Sequence, residues 1–457
     1  MKKFVFLTAL LLVCAMLFSA CGPKQVDNPT EPTDSSEPVA ESTEAEETAT
    51  LDIYYLADDA CSHYMVNSFN YFTDDVTVNA TAFASIEEMD TRIAAEVNAN
   101  KGPDVIVFPN TTTLDTTKMA MNGAFLDLSE MLANDETFDA KNYYSLLDAG
   151  YIDDQQLMMP LQFALPYFLT TQERMAAMGM ELPEKYTASQ LMSAFQTAAP
   201  NLSDDYGVFA YYDAWMTGGG IIYDPLRFAG IEIADLQEQM LTVSEEVFRE
   251  YAAYAKFAFV ENNKTLDLYQ KYGNTFTGGV AHTASIYYCR QILVDFRDTV
   301  ALFKEGANET MELLTLPNYE DPTALTAEVT VYAAVLQSTD DPQTAYRFIR
   351  YGMDSILSDP YINLPISRAQ VSAHLDELSW NRGSTSYPNV TVSVPPMTAE
   401  QRQLCEQTLD SITSGSIRNS ALDEIFTSSM DPYIQGEAEF EECYTKFKNQ
   451  MNLYLYE

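Results

Sequence analysis

Aromatic rings and a carboxylate stand side by side in Tyr211-Tyr212-Asp213-Ala214-Trp215, just ahead of Gly218-Gly219-Gly220. Flat rings can stack on a bound molecule and a carboxylate can take its hydrogen-bond donors, while the glycines permit a turn or a close backbone approach. Trp215 is one of two tryptophans; Trp380 lies in the polar run Ser379-Trp380-Asn381-Arg382. Two apolar runs end in polar pairs, Asp58 and Asp59 after the first and Asn110 and Thr111 after the second. A packed core accounts equally well for the aromatic residues, and solvated turns for the polar ones. Catalytic motifs are missing: there is no G-x-S-x-G, H-E-x-x-H, P-loop or dinucleotide glycine pattern. His63, His282 and His374 are too scattered for a histidine zinc centre, and Cys61, Cys289, Cys405 and Cys443 form no C-x-x-C, which leaves disulfides open. No enzymatic, metal or cofactor chemistry is therefore expected from these motifs.

The elements that would position these groups alternate. Leu51 to Leu56 reads as a buried strand. Ser85 to Asn100 carries Ile86, Met89, Ile93 and Val97 at helical spacing, with Glu87 and Glu88 at its positive end, and Lys101-Gly102-Pro103 stops it. Asp104 to Phe108 is a second apolar strand, and this strand, helix, strand rhythm argues for parallel pairing in an α/β layer. Thr187 to Gln190 opens a helix holding Leu191, Phe195 and Ala198. Val329 to Leu336 is a strand leading into a helix capped by Asp341 with Pro342 in its first turn. Phe440, Tyr444, Phe447, Met451 and Leu455 line one face of a last helix, which should dock on a lobe.

The chain begins differently. Lys2 and Lys3 precede the apolar run Phe4 to Phe18, a signal-peptide pattern too short to span a bilayer comfortably. Leu17-Phe18-Ser19-Ala20-Cys21 resembles the lipobox of bacterial lipoproteins, with Phe18 where Leu is usual, which implies acylation of Cys21 and residence at the outer face of a cell membrane. Gly22 to Thr50 is Pro, Ser, Thr and acid, a disordered tether. The organisation expected is a signal peptide at 1–20, lipidated Cys21 and tether at 21–50, one lobe from 51–162 plus 325–366, and a second from 163–324 plus 367–457. The body beyond the tether has 22 basic residues against 59 acidic, which excludes nucleic acid and anionic lipid surfaces as natural partners.

Five stretches carry a further resemblance. They are Gly102-Pro103-Asp104-Val105 with Asn122 to Leu128; Met158-Met159-Pro160-Leu161 on to Thr187; Phe276-Thr277-Gly278-Gly279-Val280-Ala281; Thr315-Leu316-Pro317 through Tyr332; and Tyr433-Ile434-Gln435-Gly436-Glu437. In this order they resemble the extracellular solute-binding proteins of ABC importers, the family that includes maltodextrin- and oligosaccharide-binding proteins. The resemblance implies an α/β, two-lobe periplasmic-binding-protein-like fold of type II, its lobes joined by crossing strands with a ligand cleft between them. It implies capture of a small-molecule solute, most simply an oligosaccharide, and delivery to permease subunits by a protein that works as a monomer and meets the membrane only through its lipid. Asp58, Asp59, Asn110 and Thr111 then fall at strand ends facing the cleft. Tyr212, Asp213, Trp215 and Tyr332 become candidate sugar contacts, with Trp380 a candidate cap. His282 stands where the family often has Met, and Tyr287 and Tyr288 where Trp is frequent. The acidic body keeps a cationic solute such as a polyamine open as an alternative. A lipid-anchored glycoside hydrolase is the enzymatic alternative, but 59 acids make some suitably spaced pair inevitable, so their abundance argues nothing.

Overall fold

The computed structural model describes residues 49–201, 207–211, 220–261, 284–289, 297, 300–301, 309–355, 363–387 and 390–456; within these, side chains at 207–211, 220–222, 258–259, 284–289 and 385–390 are not described. Cys21, Tyr212, Asp213, Trp215 and His282 lie outside the described residues, as do the side chains of Tyr287 and Tyr288.

Seven strands build the larger sheet. β1 (Ala49–Leu56) lies between β2 (Val76–Phe83) and β3 (Val105–Pro109), all parallel, as the alternating pattern requires. The helices that make the crossovers are α1 (Ala60–Phe72) and α2 (Ile86–Asn98). Ser85 caps α2, accepting from the Glu88 amide at 3.3 Å, with Glu87 and Glu88 in the first turn where the helix dipole favours acids. Val105 to Phe108 are all completely buried because both faces of β3 are covered. Val105 and Val107 enter one core with Leu51, Ile53, Met65 and Phe69, while Ile106 and Phe108 enter another with Met89, Ile93 and Phe125. A strand covered on both faces loses the polar alternation of a one-sided strand, which is why the run is apolar throughout.

Four strands make the smaller sheet: β5 (Tyr167–Thr171), β6 (Gly207–Tyr211), β7 (Ala284–Cys289) and β8 (Met311–Thr315), in the order β8-β5-β7-β6. Two connections join the sheets. β4 (Met159–Ala164) belongs to the larger sheet and passes through Leu165-Pro166 straight into β5. The return runs from β8 to β9 (Leu325–Val335), which is antiparallel to β3 on one side and β4 on the other. β9 starts four residues earlier than the sequence pattern suggests. That extension pairs with β11 (Ile412–Ile417), while β10 (Leu364–Pro365) closes the opposite edge on β4.

Behind the smaller sheet lies a helical core. Phe168 of β5 packs with α4 (Ala188–Ala198), α5 (Gly220–Phe228), α6 (Glu245–Ala255), α10 (Ser420–Ile434) and α11 (Phe440–Tyr456). A reciprocal capping box of Thr187 and Gln190 opens α4. The apolar face foreseen on α11 is buried: Phe447 lies 4.5 Å from the Phe248 ring and 4.8 Å from that of Phe426, centroid to centroid. Sheet and core membership do not change at residue 367. Val371, Leu375 and Leu378 of α8 (Arg368–Leu378), and Cys405 and Leu409 of α9 (Ala399–Asp410), share the core of the larger sheet, and β11 pairs within that sheet. The same core also takes in Tyr167 and Leu169 of β5, so α8 and α9 belong to packing that runs from one sheet to the other. Beyond residue 367, it is from α10 onward that the chain returns to the helical core behind the smaller sheet.

Cys61 and Cys443 are buried thiols in different cores, with no disulfide to either. In the larger core, α7 (Pro342–Asp354) starts as foreseen: Asp341 accepts from the Thr344 amide at 3.0 Å, with Pro342 in the first turn. Farther along, Tyr346 and Arg350, one helical turn apart, both donate to Asp135, at 2.9 and 3.0 Å.

Candidate functional site

The carboxyl ends of β1 and β3 carry four of the expected residues. Asp59 is the N-cap of α1, its Oδ2 accepting from the Ser62 amide at 2.8 Å and from the Ser62 hydroxyl. Burial pushes its carboxyl up from the ordinary value, against the lowering pull of the Ser62 hydrogen bonds. Asp58 beside it is exposed, so it offers an unburied carboxylate where Asp59 is committed to the helix.

Asn110 follows β3 directly. Its backbone amide donates to the Thr330 carbonyl at 2.8 Å, and its side-chain amide donates to Glu328 Oε1 at 3.2 Å. Thr111 is exposed. The loop that presents both is pinned from below by Asp90 of α2, a carboxylate with only 4% exposure that accepts from the Thr112 hydroxyl at 2.8 Å and from the Thr113 amide and hydroxyl at 2.6 and 2.7 Å.

Glu328 leads across to the second core. It sits on β9 and accepts from Arg227 of α5 at 3.1 Å, and Arg227 also pairs with Asp224 one turn earlier at 2.7 Å. The guanidinium lies 4.5 Å from the Phe228 ring centroid and 5.6 Å from that of Tyr223. This gives a continuous polar line of Asn110, Glu328, Arg227 and Asp224, running from the end of a parallel strand through the crossing strand into a helix of the second core. In the sequence, α5 begins directly after the Tyr211 to Gly219 segment.

A second polar set lies alongside. Asp115 at the start of α3 (Thr116–Met121) accepts from the Tyr454 hydroxyl at 2.8 Å and from Asn419 at 3.2 Å, and Ser420 donates to the Thr113 carbonyl at 2.7 Å. Arg418 pairs with Asp423, whose carboxyl is pushed up chiefly by burial. The loop after β3 is thus tied to α10 and α11.

Tyr332 does not reach a surface. It has no exposure, its ring stacks on Phe108 at 5.4 Å, and its hydroxyl is bonded to Thr116 at 3.0 Å, so it is a core residue in this structure. Trp380 is 72% exposed, at the end of α8. Tyr287 and Tyr288 occupy consecutive positions of β7, paired with Leu169 and Phe168 of β5 and with Ala210 and Tyr211 of β6. Glu328, Arg227, Asp224 and Asp90 were not among the expected residues. Glu328 is the single charge in an eleven-residue strand, and Asp224 and Arg227 share one face of a short apolar helix, but neither pattern names the partner that the fold supplies. Among the described residues no group of His, Cys, Asp and Glu is arranged to hold a metal, and no helix is long and apolar enough to cross a membrane.

Two sheets exchanging strands through short crossings define the two-lobe α/β fold of periplasmic binding proteins. The sequence itself matches no protein-family model and no curated protein. Solved structures do match, and they are extracellular solute-binding proteins of family 1 and MalE-like oligosaccharide-binding proteins. The sugar-binding protein MalE from the phytopathogen Xanthomonas citri is 12% identical, with a TM-score of 0.61 over 89% of this chain and 98% of that one. An extracellular solute-binding protein of family 1 from Alicyclobacillus acidocaldarius is 14% identical, with a TM-score of 0.55 over 93% and 100% of the two chains. An ABC substrate-binding protein from Listeria monocytogenes in complex with cycloalternan is 14% identical, also at 0.55, over 89% and 98%. At such identities the likeness is one of fold.

Proposed function

We propose that this chain is the substrate-binding lipoprotein of an ABC importer, which captures an extracellular oligosaccharide by closing two lobes on it and delivers it to membrane permease subunits. The observation that carries this reading is the two-lobe fold, shared over about nine-tenths of the chain with a sugar-binding protein and with a substrate-binding protein in complex with cycloalternan. Asp58 and Asn110 at strand ends, with Thr111 beside them, are suited to hydroxyl groups. The rings of Tyr212, Trp215, Tyr287 or Tyr288 are suited to the C–H faces of pyranose sugars, and Asp213, His282 and Trp380 complete the candidate set. Asp59 contributes through the helix it caps. No chemical step is required, since binding and release suffice.

Cys21 would carry the lipid. Gly22 to Thr48, since Ala49 and Thr50 already belong to β1, would then be a leash with a flexible-coil span of roughly 30 Å, long enough to keep the lobes beside a permease and free to turn. The excess of 59 acidic over 22 basic residues favours one second reading, a cationic solute.

A thermal-shift screen of oligosaccharides, polyamines and peptides tests the reading, because a ligand that binds only the folded state raises the melting temperature. Oligosaccharides are expected to stabilise the protein without being consumed. Stabilisation by polyamines alone would transfer the assignment to the cationic solute, and appearance of hydrolysis products would make the protein an enzyme. Cys21→Ala is expected to bind the same solute in purified form while failing to support uptake by cells; loss of binding in the purified variant would contradict that division of roles.

A further inference from the structure

Helix α1 ends in two aromatic residues that the core does not use. Its inner face is buried through Met65, Val66 and Phe69, and the Phe69 ring packs edge-on against Phe348 and Tyr351. Tyr71 and Phe72 are 79% and 70% exposed, their rings set edge to face 4.9 Å apart. They form an outward apolar knob at the end of the lobe opposite the carboxyl ends of the strands.

The chain leaves the fold at that same end. Ala49 opens β1 and pairs with Val76, and its amide donates to the Asp75 carbonyl at 3.2 Å, three residues beyond Phe72. Ala49, the first described residue, therefore stands near the end of α1 that carries the aromatic pair.

We propose that Tyr71 and Phe72 form a contact with the headgroup layer of the bilayer, orienting the anchored protein between encounters with its permease. The proposal rests on the reading of Cys21 as the lipid-bearing residue. Aromatic side chains favour the membrane–water interface, where the ring loses water and a polar edge keeps it. Two of them bind weakly alone, but a short leash holds the end of α1 at an effective concentration of roughly millimolar order, so a weak contact becomes an occupied one. The surrounding charge selects the surface. Asp75 is paired with Arg347 at 2.7 and 3.0 Å, while Asp74 is exposed, in a body of net negative charge, so a zwitterionic headgroup layer fits and an anionic one does not. With this end against the membrane, the strand ends bearing Asp58 and Asn110 stand roughly 25 Å farther out, the length of an eight-residue strand, and face the medium from which a solute arrives.

The test uses the full lipidated chain in vesicles of phosphatidylcholine containing a photoactivatable phosphatidylcholine, with adducts located by peptide mass spectrometry. Adducts are expected on the peptide carrying Tyr71 and Phe72 and are expected to vanish in Tyr71→Ser/Phe72→Ser, a variant that should keep the wild-type melting temperature because neither ring is in the core. A chain that floats with the vesicles but is labelled only near Cys21 would overturn this contact and leave the anchor standing. Unchanged labelling in the double variant would also overturn it, as would a cross-link through the pair to a second copy or to another protein. A wild-type chain that does not float at all removes the anchor, and the contact with it.

Discussion

Glu328 is the only charged residue in a strand whose eleven positions are all buried, and it is held there by a guanidinium from the other core. Taking such charges out of water costs several kcal/mol per ion, and the cost is offset only while each has its partners. Arg227 supplies two of them, to Glu328 and Asp224, at side-chain exposures of 4%, 2% and 9% for the three residues. Arg227→Met should therefore destabilise the protein by about 3–5 kcal/mol, and adding Glu328→Met should recover part of that loss. Urea unfolding of the two single variants and the double variant would check both statements; additive effects would mean the pair is not coupled. Asp59 poses a different question, since the same carboxylate could cap α1 or bind a solute. Asp59→Ala should cost about 1 kcal/mol, while Asp59→Asn should cost little, because asparagine caps a helix equally well. If Asp59→Asn keeps the melting temperature but abolishes solute binding, the carboxylate has a second role beyond the cap.

At the scale of elements, Asp135 is one of the acids that tie α7 to the rest of its lobe. Asp135 accepts from the Thr137 hydroxyl at 2.6 Å, from Arg350 at 3.0 Å and from Tyr346 at 2.9 Å, and these hydrogen bonds hold its carboxyl below the ordinary carboxylate range. A carboxyl depressed in the folded state stabilises the fold above its unfolded pKa, and that contribution is lost as the pH falls from there toward the lower folded value. Asp135→Asn should accordingly melt below the wild type at pH 7, with the gap narrowing as the pH is taken below 3.8; a gap constant with pH would show that packing, not charge, makes the tie. Such elements were legible where a local rule fixed them. Caps at Ser85, Thr187 and Asp341 mark helix starts in the sequence because only a few side chains can take an amide hydrogen there. The apolar run of β3 marks a strand covered on both faces. The length of β9 was not legible, since its first residues are fixed by pairing with β11 some 85 residues later, and no local pattern encodes a partner at that distance. The same physics hid the Asn110 to Asp224 line: charges read one at a time look like surface, and only the fold shows that they meet in the interior.

For the whole molecule, the arrangement favours motion at the crossings over motion within the lobes. Leu165-Pro166 and the segment between β8 and β9 are the covalent links between the two sheets, Tyr167 and Leu169 of β5 pack in the core of the larger sheet, and Glu328 pairs with Arg227 close to the start of β9. On the closure proposed above, an ion pair beside a crossing can keep its length while the lobes rotate about the crossings, and it need not break. One consequence differs from that of a rigid binder: a bound solute should reduce the radius of gyration measured by small-angle scattering. At a free concentration of 100 times Kd it should also add about 2.7 kcal/mol to stability, as any ligand of the folded state alone would. Arg227→Met should then weaken the fold far more than it alters the size difference between free and bound states, because the covalent crossings and not the ion pair define the axis. A variant that is stable but no longer contracts with ligand would assign the ion pair to the closure itself, and a wild type whose radius is unchanged at saturation would show that the cleft is already closed before the solute enters.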